Sequence, residues 1–183
     1  MSLDLQNLIK QDSEFTESKF RSKVENEFIQ IISAIMVGKI ERIHHFVNEE
    51  VYIKIKNRVI ENLNNNRIEF FDEPNVATIE LLQLEELEDK FNLNIKILFK
   101  SYNYYVDKIT KKFISGDKPG QDRSQIYYNL TFTKKKNAKH LGAARKCQSC
   151  GGNLDLNMNG KCRYCGNIFN LEDYDWVITK MDI

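Results

Sequence analysis

All four cysteines of this chain lie in two C-x-x-C units, Cys147-Gln148-Ser149-Cys150-Gly151 and Cys162-Arg163-Tyr164-Cys165-Gly166. Two residues between cysteines let one tight turn aim both sulfurs at a single ion, and two such turns complete a tetrahedral set of four thiolates. The glycine after each second cysteine suits a backbone that turns to positive φ and brings an N–H towards sulfur. Soft ligands, tetrahedral geometry and no demand for redox chemistry favour zinc, one ion per chain, with an iron–sulfur centre second. Four protein ligands leave no position for water or substrate, so such an ion is structural. Two disulfides or a redox-active C-x-x-C pair are the competing readings, and the doubling of the motif in one short segment weighs against them.

Other chemistry is sparse. The histidines are His44, His45 and His140. The first two fall in a predicted helix, where neighbours point about 100° apart and cannot converge on one substrate. No predicted strand combines a histidine with a carboxylate, so a lyase or isomerase is the weaker alternative and no small-molecule substrate is expected. A basic run, Lys134, Lys135, Lys136, Lys139, Arg145 and Lys146, leads into the first cysteine pair. It could meet anionic lipid headgroups or nucleic acid, or simply be a solvated strand end. The formal net charge of only +1 argues against a dedicated nucleic-acid protein. The charge is nonetheless divided: residues 1–90 carry 11 Lys/Arg and 18 Asp/Glu, residues 91–183 carry 16 and 8. Such halves either attract one another within the fold or present a cationic side to an anionic partner.

These groups need elements to hold them. Phe20, Val24, Phe28, Ile31 and Ile35 recur at helical spacing, widened by Ile29, Ile32 and Met36. Ser13 or Thr16 can cap this helix, and Gly38 sits where a left-handed residue would end it. A second helical stretch is expected through Ile40, Ile43 and Val47, and a third through Val51, Ile55, Val59 and Leu63, stopping at Asn64-Asn65-Asn66. The second half alternates as strands do: Leu93, Ile95, Ile97 and Phe99; Ile126, Tyr128, Leu130 and Phe132; Tyr174, Trp176 and Ile178. Gly116, Pro119 and Gly120 mark a loop between the first two. Residues 78–90 are Leu- and Glu-rich and locally favour helix, although Val76-Ala77-Thr78-Ile79 reads as the start of a strand. The cysteines fall between the last two strands. A connection of that length is ordered only if something clamps it.

Helices followed by a curved antiparallel sheet resemble the nuclear-transport-factor-two-like cone, and within it the Tim-forty-four-like domain of the mitochondrial import-motor scaffold family. The resemblance rests on Phe15 to Ala34 (F-x4-F-x3-V-x3-F-x2-I-x2-A) with residues 39–52, on Asn75-Val76, on Tyr104-Tyr105-Val106-Asp107 with Gly116-Asp117, and on Leu130-Thr131-Phe132-Thr133-Lys134. Bacterial members of that family often carry a zinc ribbon before a segment like Tyr174-Asp175-Trp176-Val177-Ile178. Leu130 and Lys134 depart from the tryptophan and arginine usual there. The resemblance implies an α+β domain over residues 13–183, with a ribbon inserted at about residues 140–170. It also implies that residues 78–88 form a strand against their local preference.

The function this implies is a non-catalytic binding or scaffold module in membrane-associated protein transport. An apolar hollow lined by Phe28, Ile35, Phe99, Tyr104, Tyr128 and Phe132 would take a peptide, a partner protein, an acyl chain or a second copy of the chain. Plain core packing competes for each of those residues. Absence of any apolar run near ~20 residues, absence of a signal peptide and a reduced, metal-binding state of the cysteines together point to the cytoplasm. The resemblance, not the composition, implies peripheral attachment to the inner face of a membrane.

Overall fold

The computed structural model describes residues 5–118, 120–138, 147, 149–152, 161–167 and 171–183. Three helices come first: α1 (Gln6–Gln11), α2 (Glu17–Val37) and α3 (Glu49–Asn64). Five strands follow: β1 (Arg67–Glu86), β2 (Lys90–Asp107), β3 (Phe113–Gly116), β4 (Ser124–Lys135) and β5 (Val177–Met181). All pair antiparallel in one sheet of order β1-β2-β4-β5, with β3 pairing β2 beyond the end of β4. This is an α+β fold with the cysteines in the connection from β4 to β5.

The helix boundaries follow capping chemistry. The Thr16 hydroxyl accepts the Lys19 N–H at 3.3 Å to open α2, and Gly38 closes it at φ +69°. Asn48 opens α3 by accepting the Val51 N–H at 3.0 Å. The stretch through Ile40, Ile43 and Val47 is not a helix. A 3-10 turn at Ile40–Arg42 is followed by a second turn, closed by the Phe46 N–H to the Ile43 carbonyl, before the chain extends at Val47. Phe46 and Asn48 exchange backbone hydrogen bonds with Ile178. Pairing with β5 satisfies backbone groups that a helix would have satisfied internally, and it covers that edge of the sheet.

Residues 78–86 are strand, as the resemblance implied and against local propensity. Their partners on β2 run from Leu98 down to Phe91. Register shifts at Asp72/Asn75, Val76/Thr78 and Leu81/Gln83 interrupt the pleat. Each bulge resets which face a side chain takes, so no clean alternation survives in the sequence. On β2 and β4 alternation is intact, and Leu93, Ile95, Ile97, Phe99, Tyr128, Leu130 and Phe132 all turn towards the helices and are buried.

The core between α2 and the sheet is aromatic. Phe28 lies 5.1 Å from both Phe99 and Tyr128, centroid to centroid, while Phe20 packs on Phe132 at 5.2 Å and Trp176 at 5.4 Å. These are edge-on or tilted contacts of the kind aromatic rings prefer. Trp176, just before β5, is thus part of the same core as α2.

Candidate metal centre and binding surfaces

The two cysteine turns fold alike. The Cys147 N–H donates to the Gly152 carbonyl and the Gly151 N–H to the Cys147 carbonyl. In the second turn Cys162 donates to Asn167, and Gly166 donates to Cys162. Gly151 and Gly166 take φ +71° and +74°, a conformation that glycine adopts without penalty. The turns face each other. Cys147 Sγ lies 3.7 Å from Cys165 Sγ, Cys150 Sγ lies 4.0 Å from Cys162 Sγ, and all four sulfurs fall within 4.8 Å of one another. None is in a disulfide.

A tetrahedral ion with metal–sulfur bonds of ~2.3 Å separates its sulfurs by about 3.8 Å. The cluster therefore already has the spacing such an ion needs. The electrostatics agree. Backbone N–H groups of Cys150 and Ser149 draw the Cys147 thiol down to about 6. The Asn167 N–H pulls Cys165 the same way, but lost hydration and the three other sulfurs outweigh it and push that thiol up to about 11. Sulfurs this close disfavour a second negative charge beside Cys147 unless a cation sits among them.

The residues expected to line an apolar hollow are placed differently. Phe28, Ile35, Phe99, Tyr128 and Phe132 are buried in the core against one another and the surrounding helices. The protein's own side chains occupy the space between α2 and the sheet. Tyr104 is on the opposite face of β2, since even-numbered residues there point away from the helices. It stacks on Phe70 at 5.6 Å and leans towards Phe113.

The basic run also changes character. Lys134 binds Asp12 at 2.6 Å, Lys135 binds Asp173 at 2.8 Å, and Lys136 binds Glu86 at 2.8 Å. Glu86 accepts as well from Gln11 and Asn7. These lysines fasten the N-terminal segment, the 3-10 turn at Leu171–Asp173 and the end of β1 to the end of β4. They are not a free cationic edge. Lys139, Arg145 and Lys146 lie outside the described residues.

An open groove of about 780 Å³ runs along the outer side of α2, between Phe15, Phe20, Lys23, Glu27, Asp175 and Trp176. Lys23 spans Glu27 at 2.6 Å and Asp175 at 3.0 Å. Burial pushes the Glu27 carboxyl up to about 7 despite that lysine. Burial pulls Lys23 down, but the two carboxylates overcome it and leave its pKa raised. The second Glu27 oxygen, Oε2, is buried and has no hydrogen-bond partner among the described residues. Glu27 escaped the sequence reading, although its position was a signal: it is an acid within the apolar stripe Phe20, Val24, Phe28, Ile31.

His44 and His45 diverge, although they lie in a turn and not in the helix expected to separate them. His44 stacks on Tyr52 at 4.0 Å and bonds Glu49, whereas His45 packs edge-on against Phe46.

A sequence profile of the Tim44-like domain matches residues 2–143, well over half of the chain. The chain belongs to the Tim44-like family. That match takes in all three helices and β1 to β4, and it ends before the cysteines. In this Tim44-like domain the four-sulfur cluster and β5 therefore lie beyond the matched span, yet β5 completes the sheet and Trp176 completes the core. No protein of curated function matches the sequence. Among the described residues, no helix is long and apolar enough to cross a membrane.

Proposed function

We propose that this Tim44-like chain is a non-catalytic binding module of membrane-associated protein transport. Helices and sheet form a rigid platform, one zinc ion on Cys147, Cys150, Cys162 and Cys165 closes a ribbon between β4 and β5, and partners dock on the outside. The partner class we favour is an anionic membrane surface, with the platform held at its face. The observation that carries the reading is the sealed interior, in which Phe28 is 0% exposed between Phe99 and Tyr128. An enzyme in this cone would need an open pocket with a reachable acid or base. Glu27 has a raised pKa, but one carboxyl oxygen is tied to Lys23 and the other is shut from solvent. The nucleic-acid alternative loses support because Lys134, Lys135 and Lys136 are already ion-paired within the chain.

Sedimentation of the zinc-loaded protein with phosphatidylcholine vesicles, with and without one-third phosphatidylserine, tests this reading across a salt series. Binding to the anionic vesicles that falls as salt rises is the expected result. Failure to bind them, or equal displacement by duplex DNA at the same charge concentration, would overturn it.

A further inference from the structure

We infer that the β2–β3 hairpin is a membrane-docking tip: Ile109, Phe113 and Ile114 enter the headgroup region of an anionic bilayer, while Lys108, Lys111, Lys112 and Lys118 contact its phosphates. This rests on the membrane reading above and assigns it to a surface that the basic run before the cysteines does not include.

The tip is built to present these side chains. Ile109 is 83% exposed, and Phe113 and Ile114 are 45% and 49% exposed. A lone exposed apolar residue is ordinary, but three within six positions of one hairpin are not. The turn is stiff. Asp107 accepts from the Ile109 and Thr110 N–H groups and from the Thr110 hydroxyl, and Lys111 adopts φ +59°. Its base is a row of rings across three strands, in which Phe70 stacks on Tyr104 and Tyr104 meets Phe113 at 6.3 Å. Gly116 lets β3 lie close on β2, because a Cβ there would collide with the backbone of Asn103 and Tyr104.

Charge says what covers the tip. From Asp107 to Lys118 there are four lysines and two aspartates. Both aspartates are engaged by backbone N–H groups, Asp107 in the turn and Asp117 with Asn103. Among the described residues none of the four lysines forms an ion pair, in contrast to Lys134, Lys135 and Lys136, which all do. Lys118 lies over the Phe113 ring at 5.5 Å, so cation and apolar surface occupy the same spot. An excess of lysine over aspartate around exposed Ile and Phe, with Lys111 facing the Asp107 charge, matches the chemistry of an anionic interface: headgroup phosphate outside, acyl chain beneath.

The test uses the full chain with zinc bound and the vesicles named above. Replacing Lys108, Lys111 and Lys112 by alanine should lower partition onto anionic vesicles by about 100-fold, roughly fivefold for each lysine. Ile109→Asp should lower it by at least about tenfold and leave the melting transition unchanged. Ile109→Trp adds a reporter beside the one buried native tryptophan, Trp176. Its emission should shift to the blue on binding and be quenched by brominated lipid. If the wild type binds and these variants bind equally well, the tip assignment is wrong and the membrane reading stands. If the wild type binds no anionic vesicle, both are wrong. If Ile109→Asp instead dissolves a dimer seen by sedimentation velocity and leaves vesicle binding intact, the tip is an interface between copies and this inference fails.

Discussion

Arg58 on α3 and Glu69 on β1 form a two-pronged ion pair, Nε to Oε2 at 2.9 Å and Nη2 to Oε1 at 2.6 Å. Glu69 is almost fully buried and is further held by Asn62 at 3.1 Å and Asn103 at 3.2 Å. The pair welds the last helix to the sheet near the Asp107 end of β2, whereas β4 ends beside Lys90 at the other end of that strand. Burial pushes the Glu69 carboxyl up, but the hydrogen bonds and charge of Arg58 outweigh it and leave the pKa lowered.

Removing one partner strands the other. Glu69→Ala should cost about 3 kcal/mol in urea unfolding, the lower end for broken buried pairs because Arg58 keeps some solvent contact. The sign with pH follows from the lowered folded-state pKa. The stabilisation is present above the unfolded carboxylate pKa and is lost as pH falls through the folded value. Wild type should therefore lose an increment of stability in acid that Glu69→Ala does not have. Equal acid sensitivity in both would show that the pair contributes nothing.

Glu27 should act in the opposite sense. Its folded pKa, about 7, stands above the unfolded value of 4.5. Stability from this group is therefore full below pH 4.5 and declines as pH rises towards 7, by about 3 kcal/mol in all. Glu27→Gln should flatten that part of the profile. The difference between the two unfolding curves isolates Glu27 from other groups that titrate in the same range, and parallel curves would contradict the assignment.

Lysines that look alike in the sequence should behave differently. Lys134→Glu sets a second acid against Asp12 in a largely buried pair, and should destabilise by about 3 kcal/mol. Lys112→Glu, at the exposed hairpin, should stay within about 0.5 kcal/mol of wild type. Thermal melts of the two variants check both statements at once.

Zinc loss should be local. With Cys162→Ser, or with excess chelator, zinc measured by mass spectrometry should fall from one per chain to none. The main cooperative melt should persist, because the helix–sheet core contains none of the cysteines. Collapse of that melt would show that the ribbon is needed to hold β5 and Trp176 in place.

Much of this was legible in the sequence, for identifiable reasons. The cysteine cluster follows from spacing alone, since C-x-x-C turns make their geometry locally. Helix α2 could be read from Phe20 to Ile35 because capping by Thr16 and Gly38 agrees with its apolar period. Strands β2 and β4 could be read because neither is interrupted by a bulge over the alternating stretch. Strand β1 was obscured by its three register shifts, and residues 40–47 by the pairing of Val47 with Ile178 on the last strand, a contact no local pattern encodes. The apolar face of α2 does not say whether it borders a hollow or a filled core. Ring size decided that, with Phe28, Phe99 and Tyr128 meeting in the middle. Nor does a run of lysines reveal its acids: Asp12, Glu86 and Asp173 come from three distant segments. Tyr104 faces away from the hollow because its strand parity is even where that of Phe99 is odd, and it stacks on its cross-strand partner Phe70.

Hydrogen exchange on the zinc-loaded wild type, with and without anionic vesicles, tests most directly that the domain binds from its outer surface and not through its interior. Vesicles should slow exchange at residues 108–114 and leave residues 28–35 and 91–99 unchanged. Altered exchange in those two core segments, or no change anywhere on the chain, would contradict the account.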